Sequence, residues 1–218
     1  MLTNLFSSFD PSTTLNIQLN WIILISMMLI LPNKFWLKES LNSMMKKKIY
    51  SYMNTEMNFI YKNKQMIMIL KSNFLFILIM NLSGLIPYVF TSTSHLSVSL
   101  SMAIPTWMLM MLYSWMNSTN LMFAHLLPMN TPMLIAPFMI LVETLSNLIR
   151  PISLSIRLTA NLIAGHLLMT LLGNINSINT ILLILILQVI LMMFEIAVAF
   201  IQAYVFSILL TMYSSEIP

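Results

Sequence analysis

Residues 178–213 read INTILLILILQVILMMFEIAVAFIQAYVFSILLTMY, and Glu195 is the one charged residue among them. A second stretch of the same kind, residues 132–172, contains three charges, Glu143, Arg150 and Arg157. Apolar runs of 18 or more residues with few charges are typical of transmembrane helices. The two stretches therefore predict an all-α membrane protein, and their four charges stand out as candidate functional groups.

Both stretches are longer than a membrane crossing requires. At 1.5 Å per residue, each would form a helix on the order of 55–60 Å, about twice the hydrocarbon thickness of about 30 Å. Each helix must therefore be strongly tilted, broken, or partly in the membrane plane. Residues 173–179 are rich in Asn and Gly and predict a turn, so the two helices should form a hairpin.

The composition of the whole chain excludes several functional classes. Of its 218 residues 59% are hydrophobic and 7% are charged, whereas a typical soluble domain has about 25% charged residues. Cysteine is absent and only three glycines occur, which excludes thiolate metal sites, a Cys nucleophile and a Gly-rich phosphate loop. We therefore expect no metal and no cofactor. We also expect no nucleic-acid partner, because the positive charge is confined to one short stretch between apolar runs.

The hydropathy pattern predicts one integral membrane domain, residues 1–218, with about five membrane helices. The predicted spans are residues 15–31, 68–90 and 98–116, followed by the long tilted stretches 132–172 and 178–213. Residues 34–65 form a basic connector with apolar residues at roughly helical spacing. This pattern predicts an amphipathic helix on the membrane surface, and the alternative is a solvated loop.

The lysines predict the orientation of the chain. All eight lie between Lys34 and Lys71. Basic loops face the compartment in which a membrane protein is made. The N-terminus should then lie on the opposite side, and five crossings return the C-terminus to the lysine side.

Each long stretch carries one polar stripe in otherwise apolar sequence. Helical spacing places these residues on one face of each helix: Glu143, Asn147, Arg150, Arg157 and Asn161 in the first stretch, and Gln188, Glu195 and Gln202 in the second. Buried amides often serve as hydrogen-bonding contacts between membrane helices. Because Arg157 and Glu195 add charges, we favour the interpretation that the stripes line a hydrophilic path.

The histidines give a weaker signal. His166 follows Arg157 by nine residues, about 180° around a straight helix, so it does not share the Arg157 face. By spacing alone a packing role fits His166 best, and His95 and His125 fall in predicted loops.

The sequence leaves open how the two long helices align along the hairpin. If the hairpin is symmetric about residue 176, Glu195 lies opposite Arg157. A wider or shifted turn would bring Gln202 opposite Arg157 instead.

The long stretches contain two motifs: Glu143-x6-Arg150-Pro151-Ile-Ser153-Leu154-x2-Arg157-Leu158-x2-Asn161-x3-Gly165-His166 in the first and, in support, Ala199-Phe-Ile-Gln202-Ala203-Tyr204-Val205-Phe206 in the second. These motifs resemble subunit a of the F-type ATP synthases. The form resembles the mitochondrial one, because bacterial members usually have a carboxylate at the place of His166 and a histidine at that of Glu195. The 23 methionines suit a mitochondrial genome that reads AUA as Met.

The resemblance implies a proton-translocating stator subunit of the Fo sector, not an enzyme by itself. A ring of c subunits would turn against the hairpin, with Arg157 as the barrier between two half-channels. The implied proton-uptake residues are His166, Glu195, Asn161 and Gln202; the implied release residues are Glu143 and Ser153; Arg150 and Gln188 have no firm role. Implied partners are the c-ring, other Fo stator subunits, membrane lipid and, indirectly, the F1 head. The N-terminus would face the intermembrane space and the C-terminus the mitochondrial matrix.

Two other functions remain open from the residues alone. A membrane subunit of a proton-pumping respiratory complex would usually place lysines in its membrane helices, but no lysine follows Lys71. A purely structural assembly subunit leaves Arg157 and Glu195 unexplained.

Overall fold

The computed structural model describes residues 5–12, 18–29, 40–61, 64–87, 89–127, 131–174 and 181–216, and every regular element within them is a helix. The α-helices of these ranges are α1 (Ile22–Leu29), α2 (Leu41–Ile60), α3 (Lys64–Gly84), α4 (Leu96–Asn117), α5 (Thr119–His125), α6 (Ala136–Gly173) and α7 (Ile181–Glu216). Four of them, α3, α4, α6 and α7, are long and apolar enough to cross a membrane. The predicted class, an all-α membrane protein, is confirmed.

The two longest apolar stretches form the continuous helices α6 and α7, of 38 and 36 residues. At 1.5 Å per residue they are about 57 and 54 Å long. Pro137 lies in the first turn of α6, where a missing N–H costs nothing because that group has no helical partner. Pro151 lies inside α6 and cannot donate to the carbonyl of Asn147, yet the helix continues past it.

The core forms where four helices meet. α3 packs along α7, α4 packs along α6, and α6 and α7 contact each other. The buried apolar side chains include Ile67, Leu70, Phe74 and Ile77 of α3, Ala103 and Met110 of α4, Leu154 and Leu158 of α6, and Ala203, Phe206 and Leu210 of α7. The outer faces of α6 and α7 expose large apolar side chains such as Phe138, Ile149 and Phe194. A surface of this kind suits lipid or a partner subunit better than water.

The basic connector contains the helix α2. Ser40 caps its N-terminus, since the Ser40 hydroxyl accepts a hydrogen bond from the Ser43 N–H at 3.4 Å. Met53 and Met57 are buried in the core cluster. Other apolar side chains of α2, such as Leu41 and Tyr52, are exposed. Placement of α2 on a membrane surface stays a prediction.

Some predicted segments fall partly outside the described residues. Of the predicted first span, 15–31, the structure describes 18–29, which contain a 3-10 turn at Leu19–Trp21 followed by α1. Most of the predicted turn at 173–179 also lies outside, as do residues 34–39 and 62–63 of the connector. The total of five membrane helices therefore stays a prediction.

Two contacts define the register between α6 and α7. A Cβ atom added to Gly165 would lie 3.0 Å from the Cδ and Oε1 atoms of Glu195, and one added to Gly173 would lie 3.5 Å from Nε2 of Gln188. From the first pair to the second, the residue number rises on α6 and falls on α7, so the helices are antiparallel. The midpoint of the two residue numbers is about 180 in both pairs. The hairpin is therefore symmetric about position 180 and not about residue 176. Positions near Gln202 therefore lie level with Arg157.

Candidate functional site

A cavity of about 490 Å³ lies between α3, α6 and α7. Its polar lining comes from Asn81 of α3, Asn161 of α6, and Glu195 and Gln202 of α7; the other side chains are apolar. The structure thus brings three of the predicted uptake residues, which come from two different helices, to one cavity. It also adds Asn81 from a third helix.

Glu195 is the charged residue of this cavity, and its position depends on Gly165. The side chain of Glu195 lies against the Cα of Gly165, where any Cβ would be 3.0 Å from its carboxyl group. The Glu195 Oε1 atom is buried and has no hydrogen-bond partner among the residues that the structure describes. Proton exchange at this carboxyl group therefore requires no ion pair within the described chain to be broken.

A second cavity of about 670 Å³, which we call the vestibule, lies beside the first. Glu195 and Leu85 line both cavities. The vestibule extends to the α3–α4 loop and to the N-terminal segment 7–12, and it contains His166. Glu195 therefore lies where the vestibule meets the cavity between the long helices.

His166 links this region to the end of α3. Its Nε2–H donates a hydrogen bond of 3.0 Å to the carbonyl of Gly84, which can only accept. The last carbonyls of a helix have no partner within the helix, so His166 satisfies one of them. The same side chain lines the vestibule, and it combines a packing role with a place beside Glu195.

Arg157 lies apart from both cavities, on the exposed surface of α6. Three small side chains within two turns of Arg157 on the same face are also exposed: Ser153, Ala160 and Ala164. Asn161, one turn further along α6, is exposed as well. No carboxylate of the described residues forms an ion pair with Arg157. The face combines one unpaired cation with small side chains that allow close approach of another helix.

The end of the α6–α7 pair that lies away from Glu195 has a small cavity and an ion pair. Glu143, Asn147 and Arg150 of α6 and Tyr213 of α7 line a cavity of only about 30 Å³. An Arg150 Nη2 atom lies 3.9 Å from Glu143 Oε1. The Arg150 guanidinium also lies 4.7 Å from the centre of the Tyr213 ring, within the range of a cation–π interaction. Arg150, which has no firm role from the sequence, thus forms an ion pair with Glu143 in the structure.

The remaining candidates occupy separate places. Ser153 is exposed, and its hydroxyl donates to the carbonyl of Arg150 at 2.9 Å. Gln188 lies beside Gly173 and lines none of the three cavities described above. His95 precedes α4, and its Nε2–H donates to the carbonyl of Phe9 at 3.0 Å. His125, expected in a loop, ends the short helix α5 and lines the small cavity.

Sequence reasoning missed three residues of these cavities. Asn81 is 1% exposed in α3 and is the one amide in the apolar run 74–82, a signal that could have found it. Tyr213 gave no signal, because aromatic residues are common near helix ends in membranes. Asp10 lines the vestibule, but it belongs to a polar segment without periodicity.

Residues 12–215 match the family described as ATP synthase A chain. The chain belongs to this family. It is 50% identical to ATP synthase subunit a of Locusta migratoria, with full coverage of both chains. It is 49% identical to the ATP synthase F(0) complex subunit a of Rhopalosiphum padi over 99% of its own length and all of that protein. Identity to ATP synthase subunit a of Drosophila melanogaster is 47% with full coverage. The family resemblance drawn from the motifs is confirmed.

Proposed function

We propose that this chain is the proton-translocating stator subunit of an ATP synthase Fo sector in the mitochondrial inner membrane. Membership of the ATP synthase A chain family supports this function. The observation that carries the proposed path is the junction of two cavities at Glu195. A proton path needs exchangeable and hydrogen-bonding groups along connected space, and these adjoining cavities place such groups on both sides of Glu195.

The uptake half-channel begins in the vestibule. Protons reach Glu195 and His166 there, since both side chains line that space. A carboxyl group and an imidazole relay protons near neutral pH without a metal or cofactor. From Glu195 the path continues into the second cavity past Asn161 and Gln202. The amides of Asn161 and Gln202 donate and accept hydrogen bonds, as a proton relay through bridging water requires.

Arg157 faces the rotating partner. A charged side chain at bilayer depth costs about 2.5–3.5 kcal/mol on insertion scales, so it is normally paired. No described carboxylate pairs with Arg157, and the small side chains around it leave room for a helix. A ring of c subunits, each with a membrane carboxylate, supplies both the helix and the charge.

The charge of Arg157 separates the two half-channels. Guanidinium groups keep their positive charge in proteins. A permanent cation favours release of the proton from an approaching ring carboxylate and repels a proton that would cross directly. Each proton that crosses contributes about 2.3 kcal/mol per 100 mV, and this barrier directs that free energy into rotation.

The release half-channel lies at the Glu143 end. Ser153 stands one turn from Arg157 on the exposed face, and Glu143 lies further toward the start of α6. Arg150 holds Glu143 and Tyr213 together at this end. Gln188 lies toward the opposite end of α7, and we assign it no step in the path.

The lysine-rich helix α2 supports the orientation. The Tyr204 hydroxyl of α7 donates to Glu56 of α2 at 2.8 Å, and Lys71 at the start of α3 hydrogen bonds to Asn54. These contacts place α2 toward the C-terminal half of α7, the half that contains Tyr213. The basic side is then the matrix, where the C-terminus and the release half-channel lie, and the N-terminus faces the intermembrane space.

The chain makes no ATP itself in this proposal. Rotation of the ring drives synthesis in the soluble F1 head, and other stator subunits hold this chain against the torque. Lipid covers the exposed apolar faces that the ring and the stator leave free.

Crosslinking tests the proposed partner, because the chain has no native cysteine. Ile156→Cys introduces a thiol on the exposed face of α6, 48% exposed, beside Arg157. In the assembled complex it should form a disulfide with a cysteine placed one turn from the ring carboxylate. Ser155→Cys is the matched control, since Ser155 is fully buried at the next position. Equal crosslinking at both positions, or none at Ile156→Cys, would contradict the proposed ring contact.

A further inference from the structure

We infer that residues 5–12, which we call the N-terminal segment, form the outer wall of the proton-uptake path and present Asp10 as a proton-collecting carboxylate at its mouth. This inference rests on the proposed function and adds residues to it. Ser7, Ser8, Phe9, Asp10 and Ser12 all line the vestibule that contains His166 and Glu195.

The N-terminal segment is held in place by a specific hydrogen bond. Residues Leu5–Phe9 form a 3-10 turn, and the N–H of Asp10 donates to the carbonyl of Ser7 at 3.3 Å. The Phe9 carbonyl accepts a hydrogen bond from the Nε2–H of His95 at 3.0 Å. This bond joins residues 86 positions apart. It is the kind of contact that orders a short polar segment.

Aromatic packing fixes His95 in turn. Its ring lies 5.3 Å from that of Trp21 and 5.5 Å from that of Phe90, measured between centroids. Trp21 and Phe90 also pack edge to face at 5.7 Å. His95 is therefore a positioning residue whose ring is held by packing and whose N–H holds the N-terminal segment.

The N-terminal segment touches a residue of the proton path. The Phe9 ring meets the His166 ring edge to face, with centroids 6.1 Å apart and an interplanar angle of 86°. The Gly84 carbonyl fixes one nitrogen of His166, and Phe9 packs against its ring. Phe9 therefore helps to orient His166 toward the vestibule, and displacement of the N-terminal segment would loosen that orientation.

Asp10 supplies charge at the mouth of the vestibule. It is exposed, and its Oδ1 accepts a hydrogen bond from the Ser12 N–H at 3.1 Å. The titratable side chains of the described vestibule lining are Asp10, His166 and Glu195. A carboxylate at the mouth of a cleft raises the local concentration of cations, hydronium included, and so raises the capture rate. Asp10 collects protons, and His166 and Glu195 pass them inward.

The test compares Asp10→Asn with Asp10→Glu in the assembled complex of inverted inner-membrane vesicles, where the uptake side faces the lumen. ATP synthesis is measured against lumenal pH at constant membrane potential. In Asp10→Asn the lumenal proton concentration for half-maximal synthesis should rise about tenfold, the low end of electrostatic focusing, with the maximal rate unchanged. Asp10→Glu should restore the normal profile. An unchanged profile in Asp10→Asn at normal complex abundance would overturn the assignment.

The dependence of the Asp10→Asn effect on ionic strength distinguishes an electrostatic role of Asp10 from a structural one. Screening shortens the Debye length from about 30 Å at 0.01 M to about 3 Å at 1 M salt. The difference between wild type and Asp10→Asn should therefore vanish at high lumenal salt. A difference that persists there would show loss of structure, not loss of proton collection, and would also overturn the assignment.

Two further variants separate the wall from the proposed function. His95→Phe keeps an aromatic ring between Trp21 and Phe90 but cannot donate to Phe9. It should reproduce the Asp10→Asn shift, and a normal profile would contradict the role of His95. Glu195→Gln serves as the second variant in the same vesicles. If it blocks proton flux while Asp10→Asn does not change the profile, the wall inference fails and the proposed function stands. If neither changes flux, the proposed function fails too.

Discussion

Glu195 and Glu143 lie toward opposite ends of the α6–α7 pair and have opposite surroundings. Glu195 lies where cavities of about 490 and 670 Å³ meet, and its buried Oε1 has no partner in the described chain. Glu143 lines a cavity of about 30 Å³ and has the Arg150 guanidinium at 3.9 Å. One end is open with an unpaired carboxyl group, and the other is closed by an ion pair that also packs on Tyr213.

The difference shows how one helix pair can serve two separate proton paths. An open cavity with an unpaired carboxyl group suits uptake, because protons reach it from outside and no partner competes for it. At the closed end, a proton that binds the Glu143 carboxylate competes with the Arg150 guanidinium. Proton transfer at that end therefore depends on the ion pair. Arg157 lies on the surface between the two ends and belongs to neither cavity.

The largest effect should come from Arg157→Lys. A lysine at this depth can lose its proton, whereas the guanidinium cannot. We expect proton-coupled ATP synthesis to fall at least about 100-fold, the size of loss seen when one preorganised electrostatic group is removed. The measurement is ATP synthesis in vesicles, normalised to complex abundance.

The matched control for that variant is Arg150→Lys at the closed end. Arg150 and Glu143 are 28% and 37% exposed, and such pairs contribute about 0–1 kcal/mol. Coupled synthesis should therefore stay within about fivefold of wild type. Normal coupled ATP synthesis in Arg157→Lys would contradict the role of Arg157 as the barrier between the half-channels.

Glu195→Gln should have the next largest effect, because it removes the carboxyl group at the open end of the α6–α7 pair. Gln keeps the size of the side chain and removes the exchangeable proton. We expect proton flux to fall about 100-fold, the lower end of what positioned acid–base groups contribute, while assembly stays near normal. Glu56→Gln is the control: it makes the same chemical change at an exposed glutamate that contacts Tyr204. Loss of flux only in proportion to complex abundance would indicate a packing role for Glu195.

Gly165→Ala should have a smaller effect and sharpens the comparison. Its Cβ would lie 3.0 Å from the Glu195 carboxyl group, so Glu195 must move. We expect proton flux to fall about tenfold, since a misplacement of 1 Å can cost up to about 100-fold. Flux in vesicles and complex abundance are measured together.

Gly173→Ala is the control on the same helix, because its Cβ would meet only Gln188 Nε2, at an ordinary 3.5 Å. Gly165 lies inside α6, where Ala favours the helix by about 1 kcal/mol over Gly, so a lower helix propensity does not explain a loss in Gly165→Ala. Equal flux in the two variants would show that Gly165 does not position Glu195.

The sequence predicted the fold class and the faces of the long helices well. Charges are rare in residues 132–213, and a period of 3.6 assigns Asn161, Glu195 and Gln202 to defined faces. These three residues do line one cavity. Periodicity assigns the face of a residue because the angle between successive residues is constant in a helix.

The axial register between α6 and α7 was beyond that reasoning. Periodicity says nothing about how far one helix slides along another, so mirroring about residue 176 and a shifted turn were equally open. The close contact of Gly165 with Glu195 depends on shape and settles the register in the structure. Asp10 was missed for a related reason: its place comes from the long-range bond between His95 and Phe9, which no local pattern encodes.

The central claim is that Arg157 divides two half-channels, and Arg157→Ala tests it most directly. Passive proton conductance is measured in vesicles that carry the assembled complex, with the F1 head attached and no nucleotide present. We predict that Arg157→Ala lets protons leak through the complex, and that an inhibitor blocking the ring carboxylate stops the leak. A membrane as proton-tight as wild type, at equal complex abundance, would contradict the claim.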